Sequence, residues 1–570
     1  MTPWEEIAKN KRADVLSKIP AQWRLPASFC SMPTSTDSPD LDVTTDEFLS
    51  TLPLGARLST EELAATAETS ITAILNKYRS QQLTAEELVT AFCHRAAINH
   101  QMTDSIAEIR FEEAIKEAKS QDAYFRANNK LVGPLHGIPV SLKDQLRVEG
   151  LETAMGYVGW LGRKETTETE SLLVKQIKAL GGIIIAKTHV PQTLMLGEEL
   201  SNLHGPGLNP YNRLLSPGGS SGGEGSLLAS RGSVIGVGAD QGGSLRVPAA
   251  FNNLFGLKPS HGRVSSKRVA ASLAGKPVIP AVVGPMSTKI ENLIHFTRAI
   301  IETEAWQLDP TVINLPWRPS VIEQVRAQAS AGGLCFAVLS NDGLVRPHPP
   351  VARGVQLTVD AARRAGHKVI EWKPPSHLLG GWIGGDILYA ATYDVHDALK
   401  LSGEPLLQSL EPLFGKKKPN PTMSLQEYYE LMTRFREYQD QYAEYWESTK
   451  SLSGTGRPVD GIIAPVAPHA AVRHNCFFSS SYTLIHNLLD HAAVTVPVTF
   501  ADKSMDIAPS SVSRMNDIDG KNWNSYDAEI YHGAPVGIQV VGRRLEEEKV
   551  LALGEVLSEA LKTAATDSEQ

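Results

Sequence analysis

Hydrophobic positions along this chain follow two periods that take turns. Behind the capping-box pattern Thr84-Ala85-Glu86-Glu87, residues Leu88, Phe92 and Ala96 recur at helical spacing, which predicts a helix with one buried face. Ser59-Thr60-Glu61-Glu62 opens an earlier helix in the same way. The stretch Gly133 to Leu142 reads as a turn entering a short strand that delivers Lys143-Asp144-Gln145. A helix over 171–180 and a strand at Ile183-Ile184-Ile185 form the next step. Strands follow at Val234 to Ala239, Leu334 to Leu339 and Val369 to Trp372, with Phe255 to Pro259 closing the glycine-rich region and a helix over 350–365. Late strands are predicted at Gly461 to Pro465, Val494 to Val498 and Val536 to Val540, and a final helix from about Leu545. This alternation predicts an α/β protein with a central mixed β-sheet covered by helices on both faces.

Three stretches stand outside the two-period pattern. Residues 1–58 are rich in Pro, Ser, Thr and Asp after a short initial helix and read as an N-terminal arm, either wrapped on the body or mobile. The remainder, 59–570, reads as one domain. Residues 404–423, with Lys416-Lys417-Lys418, read as a surface loop. The capping box at Ser424 then opens a long helix to about Thr449. Its stripe Leu425, Tyr428, Met432, Phe435, Tyr442 and Trp446 is expected to be core or the contact of a homodimer.

Composition narrows the class. The 570 residues are 42% hydrophobic and 21% charged, enough for a sizeable core. A net charge of −8 leaves no basic footprint for nucleic acid. Cys30, Cys93, Cys335 and Cys476 are far apart, without disulfide or zinc spacing. The first residues lack the apolar core of a signal peptide, no 18-residue apolar run exists, and the tail Thr566 to Gln570 fits no lipidation motif. The expectation is a soluble cytoplasmic protein with neither metal nor cofactor.

Chemistry concentrates between Ser216 and Ser244, where ten of 29 residues are glycine and seven are serine. The apolar run Val234 to Ala239 divides two Gly-Ser clusters, so the clusters read as loops packed on a buried strand, with serines presented for nucleophilic chemistry. Familiar metal and phosphate motifs are absent: there is no HExxH, no EF-hand loop and no GxxxxGK[ST]. Gly218-Gly219-Ser220-Ser221-Gly222 matches the G-x-S-x-G elbow by letter, but that elbow needs a strand directly before its serine, and 209–217 is turn-like.

The arrangement resembles the amidase signature family. The matching text is Gly218-Gly219-Ser220-Ser221-Gly222-Gly223, Gly242-Gly243-Ser244-Leu245-Arg246-Val247-Pro248-Ala249 and Gly256-Leu257-Lys258-Pro259, with Gly137 to Asp144 as the lysine segment. Pro3-Trp4-Glu5-Glu6, Gln145 to Val148, Val190 to Met195 and Tyr531 to Pro535 extend the likeness to the fungal acetamidases and general amidases. The resemblance implies one catalytic domain with a signature core over about 133–262, and hydrolysis of a carboxamide by water without cofactor. It implies Ser244 as nucleophile, Ser220, after a cis peptide, as bridging serine, and Lys143 as general base. Backbone amides of Gln241, Gly242, Gly243 and Ser244 would form the oxyanion hole. Ser221, Asp240 and Arg246 would support the loops, with surface pairing of the two charges as the alternative, and Leu194 and Met195 would line the substrate site. A serine needs an adjacent base, and lysine serves only when neutral, which the apolar flank Ile138, Val140 and Leu142 favours. Two letters depart from the family text: Gln241 stands where Thr or an apolar residue is usual, and Ala239 where Thr is common. Gln241 could therefore reach into the pocket. Carbamates, esters or fatty amides would suit the same site, and a subunit of an amidotransferase complex is the remaining alternative.

Overall fold

A computed structural model describes residues 2–33, 35–36, 42–509 and 513–569. Residues 34 and 37–41 of the predicted arm, and Gln570 at the end of the tail, lie outside the described residues.

Apolar runs require cover on both faces, and here eleven strands share one sheet, most of them buried along their length and the edge strand Lys368–Glu371 partly exposed. They are β1 (Ile106–Ile109), β2 (Pro139–Lys143), β3 (Ile183–Thr188), β4 (Ile235–Asp240), β5 (Phe255–Lys258), β6 (Val282–Ser287), β7 (Cys335–Val338), β8 (Lys368–Glu371), β9 (Gly461–Pro465), β10 (Ala493–Phe500) and β11 (Pro535–Val541). Their spatial order is β1-β3-β2-β4-β6-β5-β10-β11-β9-β7-β8. β3, β2 and β4 run parallel to one another, as do β9, β7 and β8, while the strands between are antiparallel, so the sheet is mixed.

Successive side chains of a strand point to opposite faces, and the core divides accordingly. Phe336, Ile463, Val494 and Val540 pack with helices Ile290–Ile301, Pro319–Ser330 and Glu547–Glu569. Their neighbours Cys335, Ala337, Ile462, Ala464 and Val541 pack with helices His377–Leu388, Leu425–Ser448 and Ser481–Leu488. Helices therefore cover both faces.

Three local expectations change. The helix Ala85–Thr103, opened by the capping box at Thr84, is buried around most of its circumference and not on one face. The first 58 residues supply the second cover: Trp23 stacks on His94 with ring centroids 4.7 Å apart, and Lys11 reaches Glu108 at 2.5 Å and Glu152 at 2.8 Å. Segment 404–423 is not a plain surface loop. It carries a short helix at Glu411–Phe414 and buries Glu404, Leu410 and Phe414, leaving Lys416, Lys417 and Lys418 exposed. The long helix Leu425–Ser448 begins with its apolar stripe in solvent, since Leu425 is 65% exposed, and only from Leu431 onward do Phe435, Tyr438, Tyr442 and Trp446 enter the core.

Candidate active site

Adjacent parallel strands end at one edge of the sheet, and loops leaving that edge converge. β2 ends at Lys143, which pairs in register with Thr188 of β3, while Leu142 pairs with Val237 of β4. β4 ends at Asp240 and releases the loop that holds Ser244. Ser220 precedes the short helix Gly222–Ala229, which packs on the same strands. Among the described residues no strand of the central sheet leads directly into Ser220; the two-residue strand just upstream, Leu215–Ser216, pairs with Val472–Arg473 in a separate sheet, so the strand that a hydrolase elbow needs is absent.

Lys143 donates a hydrogen bond from Nζ to Ser220 Oγ at 2.9 Å and a longer one to the Ala239 carbonyl at 3.4 Å. The lysine and Ser220 are each 1% exposed. Burial pushes the Lys143 amine down to about 7, against the attraction of Glu199, Asp240 and Glu224. Lys143, Ser220 and Ser244 line a single chamber of about 20 Å³ together with Gln241, Leu194 and Met195. The Gly219–Ser220 peptide is cis.

The two Gly-Ser loops are bound to each other. The Ser221 amide donates to the Ser244 carbonyl at 2.9 Å, and Ser221 Oγ pairs with the backbone of Ala239 at 3.3 Å. Asp240 accepts from the amides of Gly243, Leu245 and Arg246 and from the Arg246 guanidinium at 3.0 Å. That guanidinium also reaches Gln539, Asn487 and the Thr483 carbonyl. Both charges are fully buried, which removes a surface pairing, and Arg246 holds the Asp240 carboxyl well below the usual carboxylate range despite its burial. The Gly243 amide points to Asp240 at 2.8 Å, whereas among the described residues nothing accepts from the amides of Gln241, Gly242 and Ser244. Gly243 has φ +123°, and a Cβ there would lie 2.4 Å from Thr483 Oγ1, so only glycine fits.

The Gln241 side chain is committed to structure: its Nε2 donates to the Ile279 carbonyl at 2.6 Å. Leu194 and Met195 are brought to the site by a kink in which Thr193 and Leu194 have φ of 72° and 66°. Gln192 fixes that kink by bonding Glu404, Pro405 and the Leu407 amide, all from the stretch expected to be a surface loop. A second chamber of about 460 Å³ opens beyond Ser244, lined by Gly242, Gly243, Leu194, Met195 and apolar side chains including Phe477 and Leu413. Ser221 and Arg246 line neither chamber.

Sequence reasoning missed Glu224, Glu199, Thr483, Asn487 and Gln539. Glu224 is fully buried, accepts from Ser141 Oγ at 2.6 Å and Thr188 Oγ1 at 2.8 Å, and is pushed up to about 8 by that burial. A lone acid among glycines, Gly223-Glu224-Gly225, was a visible signal. The other four come from distant segments that carry no local mark.

The Amidase family model matches residues 87–551. The chain belongs to the amidase signature family. Over 569 residues it is 40% identical to an acetamidase of Emericella nidulans (strain FGSC A4), covering 99% of each chain. It is 39% identical over 561 residues to an acetamidase of Aspergillus oryzae (strain RIB 40), covering 98% of this chain and 99% of that one. A solved fatty acid amide hydrolase superposes with a TM-score of 0.88 at 31% identity, over 98% of this chain and 95% of the other. A peptide amidase from Stenotrophomonas maltophilia shares the fold, with a TM-score of 0.64 at 20% identity over 87% and 97% of the two chains. This amidase is accordingly a hydrolase of amides. No helix among its described residues is long and apolar enough to cross a membrane.

Proposed function

We propose that this amidase hydrolyses a carboxamide through an acyl-enzyme on Ser244, with Ser220 as proton bridge and Lys143 as general base. Neutral Lys143 takes the Ser220 proton while Ser220 takes that of Ser244, and Ser244 Oγ attacks the carbonyl carbon. The resulting oxyanion is held by the amides of Gln241, Gly242 and Ser244. The Gly243 amide, occupied by Asp240, orients the loop and leaves the oxyanion to its neighbours. As the C–N bond breaks, the proton returns through Ser220 to the leaving nitrogen. Water then enters, gives a proton to the same relay, and its oxygen displaces Ser244 to release the carboxylic acid.

The observation that carries this reading is the 2.9 Å contact from a buried, charge-averse lysine to Ser220, in a chamber that Ser244 also lines. Labelling with a serine-directed fluorophosphonate, followed by peptide mapping, tests it. The adduct is expected on Ser244, with loss of amide turnover in proportion; an adduct on Ser220 or elsewhere would end the assignment.

A further inference from the structure

Two chambers meet at Ser244, and their sizes differ by more than an order of magnitude. The inner one is about 20 Å³ and holds Lys143 and Ser220. A single water needs roughly 10–15 Å³ of such space, so the inner chamber accepts one molecule of that size. The outer one is about 460 Å³ and holds Gly242 and Gly243. Ser244, Gln241, Leu194 and Met195 face both.

A carbonyl carbon bonded to Ser244 Oγ has three other substituents to place. Its oxygen must meet the amides of the 241–244 loop. Its nitrogen must lie within reach of Ser220 Oγ, the group that returns the proton, and Ser220 lines only the inner chamber. The remaining acyl substituent cannot share a space that holds one water-sized group, so it extends outward among Leu194, Met195, Leu413 and Phe477. We infer that the inner chamber admits only an unsubstituted nitrogen and the outer chamber takes a large apolar acyl group. The substrates are then primary carboxamides with acyl groups larger than acetyl. This rests on the Ser244 acyl-enzyme reading.

The inner wall is built to stay small. Gln145 and Ala270 exchange two hydrogen bonds of 2.9 Å, which fasten the segment bearing Ala271 and Ser272 over the lysine. Tyr157 OH pairs with Ser272 Oγ at 3.1 Å, and Gln241 Nε2 holds Ile279 beside Ala281. The same pocket serves both half-reactions, since ammonia leaves from it and water of equal size replaces it.

The test compares kcat/KM for acetamide, hexanamide and N-methylhexanamide. Each buried methylene contributes about fourfold, so hexanamide is expected to exceed acetamide by at least ~10-fold. N-methylation is expected to cost at least ~100-fold, because the methyl has no space. Two variants read the chambers separately. Ala281→Gly is expected to raise the N-methylhexanamide to hexanamide ratio, and Leu413→Trp to lower the hexanamide to acetamide ratio. N-methylhexanamide cleaved within threefold of hexanamide, acetamide preferred over hexanamide, or ratios that neither variant moves would each overturn the inference. If those results came with the fluorophosphonate label still on Ser244, the amidase reading would stand without this refinement. Absence of all amide turnover, with the label elsewhere, would remove both.

Discussion

Lys143 Nζ lies 2.9 Å from Ser220 Oγ in a site where both side chains are 1% exposed. An ammonium there has lost its water and keeps one hydroxyl and one distant carbonyl as acceptors. The cationic form is therefore disfavoured, and the amine falls to about 7. Since the base must be neutral, kcat/KM is expected to climb about tenfold per pH unit below pH 7 and level off above it. A pH–rate profile on a single primary amide checks this; a flat profile from pH 5 to 9 would count against Lys143 as base.

Removing single members of the relay separates chemistry from folding. Ser244→Ala is expected to abolish the covalent adduct. Ser220→Ala and Lys143→Ala are each expected to lower kcat by several orders of magnitude, because neither serine is nucleophilic without the base. Tm close to that of the unaltered enzyme, with activity lost, is the pattern to look for. Full activity in Ser220→Ala would break the bridge assignment.

Glu224 should control stability in an unusual direction. Its carboxyl is pushed up to about 8 in the fold, against about 4.3 for a free glutamate. The folded state thus binds a proton that the unfolded chain releases, so this contribution is complete below about pH 4 and is lost as pH rises through about 8. Tm should fall between about pH 5 and 8, and the fall should shrink in Glu224→Gln. Glu224→Ala removes the carboxyl acceptor of two buried hydroxyls, leaving Ser141 with Ser233 at 2.7 Å and Thr188 with only a 3.5 Å contact to the Leu142 carbonyl, and is expected to cost ~1–3 kcal/mol in urea unfolding.

Arg246 bridges the Ser244 loop to strand β11 and the helix Ser481–Leu488 through Asp240, Gln539 and Asn487. Arg246→Ala strands a fully buried Asp240 carboxylate, and breaking a buried pair in this way costs about 3–5 kcal/mol. Urea titration measures it. A loss below ~1 kcal/mol would mean that the pair is dispensable.

Gly243→Ala puts a methyl against Thr483 in a backbone conformation that alanine resists. The displaced loop should lose the alignment of one oxyanion donor, worth about 10²–10³ in kcat. The measurement is kcat on a folded variant, and unchanged turnover would show that the loop tolerates the shift.

Local order was legible in the chain. The capping boxes at Ser59, Thr84 and Ser424 mark real helix starts, because the side chain and backbone that satisfy each other are three residues apart. Buried strands announce themselves as apolar runs, and the two Gly-Ser clusters flank β4 as expected. The resemblance of the signature text led to Lys143, Ser220 and Ser244 before any geometry. Burial was less legible: Arg95 and His94 lie in the core because an N-terminal segment covers them, and no periodicity within the helix reports what another segment will do.

Tertiary structure alone decided the rest. Adjacent parallel strands carry Lys143 and the Ser244 loop to one edge, although about a hundred residues of chain separate them. The Asp240–Arg246 pair became buried only once Asn487, which donates to Asp240, and Gln539, which accepts from Arg246, came in from the far end of the sequence. The size of each chamber is set by Ala281, Leu413, Phe477 and their neighbours, from segments that share no motif and meet only when the sheet has formed. A sequence states which groups a chain owns; the volume left between them is a property of packing, and substrate choice depends on that volume.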